Sequence, residues 1–375
     1  MNLLKSLAGK YYNNLRGWST NRKILVFESD DWGSIRMPSK AVFDECVNNG
    51  YPVNQRPFEM YDHLEAFEDL DSLCRVLRSF SDYKGRHPVF TANIIMTNPD
   101  FEKIREFNFT TYYSEHFSDS YIKYYGDNQI FKFWQNAITD GTLYPQYHGS
   151  EHFNISKWLT KLQNGDRDMH FAFDRKMVGI PLPQNPELGN ELLIALASDS
   201  EDDLKLKTER FLAGYDLFEK TFGFSSASFI APVYTWNNIV TERMAVKGLK
   251  YIQGGRFQKM PDYNTGRMLS VKHFLGEKNH HGQIYLVRNV FFEPSVSGSK
   301  TIIEKSIEYI NAAFRMRKPA IVSTHRLNYM GGLDDKNREQ NLNLLADLIQ
   351  RVLKEHPQVE FMNSVQLGDL IRANN

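Results

Sequence analysis

Five residues in this chain have the types and placement that metal or acid–base chemistry requires. Asp30 and Asp31 stand side by side directly after the apolar run Ile24-Leu25-Val26-Phe27. Adjacent carboxylates at the carboxyl end of a strand can hold a cation or take a proton, because α/β folds gather their ligands there. An Asp pair at such a point also serves as a helix cap or a turn. His148 and His152 enclose Gly149-Ser150-Glu151. On a helical turn, imidazoles at this spacing face one way and can share a cation. In a chain with 11 histidines the spacing also arises by chance. Two histidines and a carboxylate would leave positions open for water and substrate, as a catalytic metal needs. His325 ends the run Ala320-Ile321-Val322-Ser323-Thr324 and suits either proton transfer or a structural hydrogen bond. His170, His273, His280 and His281 lie in loops or beside strands and are read as non-catalytic.

These residues need strands to present them. Runs rich in β-formers occur at 24–27, 89–96, 229–231, 251–252, 284–287, 320–322 and 359–362, and a helix stop at Asp140-Gly141 precedes a short strand before His148. Helical patterns lie between them. Ser198 and Glu201 have capping-box spacing ahead of Leu204, Phe211, Tyr215, Phe218 and Phe222, and Thr301 and Glu304 repeat it. Leu342, Leu345, Ile349 and Val352 mark a last long helix. Strands alternating with helices predict an α/β fold whose parallel sheet or barrel is covered by helices. Residues 51–68 and 166–190 fit the alternation poorly and read as loops inserted into one domain spanning 23–375, behind an extension over 1–22.

Bulk properties narrow the function. With 45 Lys+Arg against 45 Asp+Glu in 375 residues, a general polyanion-binding role has no electrostatic support, and no nucleic-acid motif appears. A composition 41% hydrophobic is too apolar for disorder. The 19 Tyr and 26 Phe mostly build core, with some available to stack on sugar rings. Leu3, Leu4, Leu7 and Ala8 suggest a short packing turn, and the N-terminal stretch has no run suited to a signal peptide or membrane span. Two cysteines without metal-ligand spacing point to a reducing compartment, so a cytoplasmic location is expected.

The order of these pieces resembles the polysaccharide deacetylase family, which includes chitin, peptidoglycan and nodulation-factor deacetylases. Ser29-Asp30-Asp31-Trp32-Gly33 stands where that family has a strand ending in Asp-Asp-Gly. His148 to His152 matches its His-Ser/Thr-x-x-His motif, Ala231-Pro232-Val233-Tyr234 its Arg-Pro-Pro-Tyr, and Val322-Ser323-Thr324-His325 its Leu-x-His. The resemblance implies a distorted (β/α) barrel of about seven parallel strands. It implies one divalent metal, zinc by preference with cobalt or nickel as substitutes, held by Asp31, His148 and His152. Asp30 would be the general base and His325 the general acid. The expected reaction removes an acyl group, N-acetyl foremost, from an amino sugar, a glycan or a nucleotide- or lipid-linked sugar precursor. Alternatives are another metal-dependent hydrolase on the same barrel, such as a glycosidase or non-sugar amidase, or a degenerate glycan-binding protein.

The chain also departs from the family pattern. Ala231 replaces the arginine that orients the catalytic Asp, and Arg326 or Arg256 is the expected substitute. Trp32 interrupts the first motif and is either a sugar-stacking face or core. Tyr234, Trp236 and Arg326 are further candidates for substrate binding, with Tyr329 a weaker one, and a backbone N–H near Tyr234 is expected to help hold a developing oxyanion.

Overall fold

The computed structural model describes residues 11–182 and 192–374. Strand β1 (Lys23–Trp32) is buried from Ile24 to its end, which is why it shows no apolar–polar alternation: both of its faces are covered. It is joined by β2 (Phe90–Ile95), β3 (Leu143–Gly149), β4 (Ser228–Ile230), β5 (Tyr251–Gly254), β6 (Ile284–Val287), β7 (Val290–Phe291), β8 (Ala320–His325) and β9 (Val359–Phe361). These form one nine-stranded sheet in the order β6-β5-β4-β3-β2-β1-β8-β7, with β9 also paired to β1. Every pairing in it is parallel. The sheet curls into an open (β/α) barrel, and β6 and β7, close in sequence, are the two ends of its path.

Nine strands rather than about seven make the sheet. The strand before His148 runs the full Leu143–Gly149, and the two-residue β7 is too short to show a pattern. The last long helix, Asp335–Glu355, buries Leu342, Leu345, Ile349 and Val352 as its spacing predicts. Helix Glu201–Phe222 is capped two residues later than the sequence suggests, by Ser200 accepting from the Asp203 amide at 3.1 Å. Helix Ser299–Arg315 begins before Thr301, so Thr301 and Glu304 form no box there.

Segment 51–68 is not a plain loop. It contains a 3-10 turn (Pro52–Gln55) and a short helix (Pro57–Tyr61), and it delivers Asp62 and Glu65 to the site. Of segment 166–190, helix Arg167–Asp174 caps itself with Asp166, and 183–190 lies outside the described residues. So does the turn suggested by Leu3 to Ala8. Both cysteines are free and buried, and among the described residues no helix is long and apolar enough to cross a membrane.

Candidate functional site

The site is made at two irregular strand ends. Along β1, Ser29 pairs with Ala92 and Trp32 with Ile94, so β1 carries one residue more than β2 over this stretch. Asp31 takes it up with φ 75°, a left-handed conformation that Asp tolerates better than most residues. Regular pleating would send Asp30 and Asp31 to opposite faces. The bulge instead lets both contribute to one site. A second irregularity falls on β3, where Ile94 pairs with Tyr147 but Ile95 with Gly149, leaving His148 as the extra residue. Gly149, at φ 139°, then turns the chain so that His152 comes back beside His148. The two histidines thus share a face through a strand end and a turn. They are not on a helical turn, since the next helix starts only at Ile155.

Asp31, His148 and His152 converge with their ligand atoms all within 4.8 Å of one another. Asp31 Oδ1 lies 3.2 Å from His148 Nε2 and 3.3 Å from His152 Nε2. His148 Nδ1 lies 2.9 Å from the Ile230 carbonyl and donates to it, which fixes the ring with Nε2 toward the carboxylate. Burial pushes His152 down to about 4. Two imidazole nitrogens and a carboxylate oxygen gathered at these distances are the donors a divalent cation takes. The donor set fits zinc or a similar metal.

Beside this cluster Asp30 is clamped. Arg288, fully buried at the end of β6, places Nη1 2.6 Å from Asp30 Oδ2 and Nη2 2.7 Å from Oδ1, while its Nε meets Glu28 at 2.6 Å. Asn93 donates to Asp30 Oδ1 at 2.8 Å. Burial would raise the Asp30 carboxyl, but Arg288 outweighs it and holds the group far below the usual carboxylate range. His325, the register partner of Asp30 across β1 and β8, has its Nε2 3.9 Å from Asp30 Oδ2. Its Nδ1 bonds Glu293 at 2.7 Å. Burial alone would lower this imidazole, but Glu293, then Asp31 and Asp30, raise it to about 10. One group is held as the anion and its neighbour as the acid.

The arginine that clamps Asp30 is therefore Arg288, and neither Arg326 nor Arg256. Arg326 is fully buried against Asp62 at 2.8 Å and Glu65 at 2.6 Å, so it neither reaches Asp30 nor offers itself to a substrate. Arg256 stacks on Tyr12 and Phe274. The Arg326 cluster does shape the site indirectly: Glu65 accepts the Gly33 amide at 3.0 Å and so fixes the turn after Asp31. Gly33 is required there, because a Cβ would fall 2.5 Å from the Ile95 carbonyl.

Three aromatic candidates are core. Trp32 is fully buried, donates to Ser29 at 3.0 Å and meets Trp134 edge-on at 5.6 Å, so it offers no face to a sugar. Trp236 and Tyr329 are equally buried, the latter sharing a hydrogen bond with Thr324. Tyr234 stays half-buried, its hydroxyl 3.3 Å from Arg288. Its own amide donates to the Ala231 carbonyl at 3.0 Å. Sequence reasoning missed Arg288, Glu293 and Asn93. The signal for Arg288 was its place immediately after a predicted strand, the same cue that picked out Asp30 and His325.

A cleft of about 780 Å³, counting its open mouth, runs from Asp31 and His152. One wall is apolar and carries Ile95, Phe153, Val178, Ile180 and Leu192; the other carries Arg36, Arg56 and Glu59.

No family model matches the sequence, and no curated protein matches it. Among solved structures, the chain is similar to a family 4 carbohydrate esterase from Streptomyces lividans in complex with acetate, at TM-score 0.36 and 10% identity, covering 93% of this chain and 97% of that one. It is similar to the peptidoglycan deacetylase PdaC from Bacillus subtilis, at TM-score 0.34 and 9% identity over 94% and 93%. It is also similar to Puue allantoinase, at 0.48 and 10% over 95% and 92%. These likenesses concern the course of the chain, and the chemistry has to be read from the side chains.

Proposed function

We propose that this chain is a metal-dependent hydrolase that removes an acyl group from the nitrogen of an amino sugar or glycan precursor. The observation that carries the reading is the convergence of Asp31, His148 and His152 beside the Asp30 carboxylate, clamped by Arg288, and the His325 imidazole, bonded to Glu293. A divalent cation bound by the three ligands would acidify a water and polarise the acyl carbonyl. Asp30, oriented by the Arg288 fork, takes the proton of the attacking water. His325, protonated and aimed by Glu293, gives its Nε2 proton to the departing amine, which leaves poorly as an anion. The Ile230 carbonyl fixes the His148 tautomer.

The test is elemental analysis of bound divalent metal in wild type and His148→Ala, followed by acetate release from N-acetylated amino sugars. About one metal per wild-type chain, almost none in the variant, and metal-dependent acetate release are expected. No metal in wild type after reloading with zinc or cobalt would sink the reading. A bound metal with sugar cleavage but no acetate would move it to a glycosidase.

A further inference from the structure

The barrel interior beside Asp30 is polar. Asn93 on β2, Gln146 on β3, Ser228 on β4 and Gln253 on β5 are all fully buried. Asn93 Nδ2 donates to Asp30 Oδ1 at 2.8 Å and to Gln253 Oε1 at 3.0 Å. Gln253 Nε2 donates to Ser228 Oγ at 2.8 Å, and Ser228 Oγ donates to Gln146 Oε1 at 2.7 Å.

Backbone groups give this series of bonds its direction. The Ser228 amide, 2.8 Å from one end of the Gln146 side chain, can only donate, so that end is the carbonyl Oε1. The Pro145 carbonyl lies 2.6 Å from the other end, which is therefore the NH2. Ser228 Oγ then gives its one proton to Gln146 and accepts from Gln253. Gln253 is left presenting its carbonyl to Asn93, and Asn93 answers with its NH2. The second hydrogen of that NH2 goes to Asp30. Asn93 Oδ1 itself is buried with no hydrogen-bond partner among the described residues. An unpaired buried acceptor weakens the fold, so what this asparagine contributes is its donor.

The consequence falls on the two oxygens of Asp30, each of which has two lone pairs. Oδ1 accepts from Arg288 Nη2 at 2.7 Å and from Asn93 at 2.8 Å, which fills it. Among the described residues Oδ2 accepts from Arg288 Nη1 alone, at 2.6 Å, and keeps one lone pair free. Oδ2 is also the oxygen beside His325, 3.9 Å from its Nε2.

Resting on the hydrolase reading above, we infer that Asn93, aimed by Gln253, Ser228 and Gln146, is a positioning residue that makes Oδ2 the oxygen that takes the water's proton. Oδ2 gains that proton as the water oxygen bonds to the acyl carbon. The C–N bond breaks as His325 protonates the nitrogen. The proton on Oδ2 then recharges His325, and both groups return to their starting states.

The experiment uses the full chain loaded with zinc and N-acetylated amino sugars, with free amine as the readout. Gln253 reaches Asp30 only through Asn93. Gln253→Met is therefore expected to keep its metal and its KM while kcat falls roughly 10–10²-fold. Asn93→Leu should lose at least as much, and the double variant no more than Asn93→Leu alone, because the two act in series. Ser228→Ala, a milder change that frees the Gln253 amide, should lower kcat in the same way if Gln253→Met fails to fold. Wild-type kcat in Gln253→Met, or in Ser228→Ala where that variant stands in for it, overturns the inference and leaves the hydrolase reading standing. So do losses that simply add in the double variant. If wild type cleaves no amide, the hydrolase reading fails and the NH2 resonances of asparagine-labelled protein decide. The pair missing in Asn93→Leu belongs to Asn93, and its carboxylate-bonded proton should lie downfield and move back in Gln253→Met. A pair that Gln253→Met leaves in place overturns the inference as well.

Discussion

Arg288 and Asp30 lie 258 residues apart and meet through two parallel bonds of 2.6 and 2.7 Å, with the third guanidinium nitrogen turned to Glu28. A planar fork on a planar carboxylate fixes the carboxylate's rotation as well as its charge. The clamp on Asp30 thus comes from the β6 end of the barrel, and not from the β4 end, where Ala231 stands. Glu28 shares the cation, and burial pushes its own carboxyl upward. The arginine is the centre of a buried ion cluster whose free edge is Asp30.

Removing the arginine should therefore have two separable effects. Arg288→Ala leaves two buried carboxylates without their guanidinium, although Asn93 still donates to Asp30 and Ser364 to Glu28, and a loss of about 3–5 kcal/mol in urea unfolding is expected. Arg288→Lys keeps a charge but not the fork. It should fold, hold its metal, and lose roughly 10²–10⁴ in kcat, the scale of one proton-transfer group. Full activity in Arg288→Lys would show that Asp30 needs no orientation.

The strand ends were legible because each apolar run stops at polar residues that a buried strand would otherwise exclude. Asp30, Asp31, His148 and His325 all sit at such stops. The bulges were not legible. Whether Asp31 or Trp32 faces the site depends on one extra residue in β1, which arises from pairing with β2 and leaves no mark in local sequence. That is why Trp32 looked available and is core. Arg288 was passed over because one arginine among 45 basic residues carries no spacing signal of its own.

Asp31 supplies a second prediction. Its Oδ1 lies 3.2 Å from His148 Nε2 and 3.3 Å from His152 Nε2, so it is the oxygen both imidazoles share. Asp31→Asn keeps the shape and tolerates the left-handed backbone at least as well, but removes the anionic ligand. With zinc in excess wild type should melt well above the variant, since binding raises wild type by RT ln(1 + [L]/Kd), about 2.7 kcal/mol at a hundredfold excess over Kd. With chelator present that gap should vanish. An equal zinc-dependent rise in both proteins would show that Asp31 holds no metal.

Trp32 gives a third. As core it should behave by volume: Trp32→Ala costs about 3–5 kcal/mol of stability. Trp32→Phe, which loses only the Ser29 hydrogen bond and part of the ring, should leave KM for the sugar substrate unchanged. A tenfold rise in KM with stability intact would restore it as a stacking face.

The fourth prediction concerns the opposite end of the barrel. Glu360 on β9 pairs in register with Ile24, well before the Asp30 end of β1, and gathers Arg22 at 2.7 and 2.6 Å and Lys84 at 2.7 Å. Arg86 adds a longer contact at 3.2 Å. The Arg22 hydrogen bonds lead in bringing this carboxyl down from 4.5 to about 2, against the opposing effect of burial. A carboxyl depressed in the folded state stabilises it above the unfolded value. That advantage fades as pH falls from about 4.5 to about 2, where the folded group also takes its proton. Glu360→Gln keeps the shape and removes the charge. At pH 7 it should be less stable by about 1–3 kcal/mol, the worth of hydrogen bonds to a charged group. The gap to wild type should close across that acidic window in urea melts taken at successive pH values. Because the residue sits at the barrel end away from the site, kcat and metal content at pH 7 should not change. A stability gap that persists unchanged at pH 2 would mean that packing, and not the ion cluster, is what Glu360 contributes.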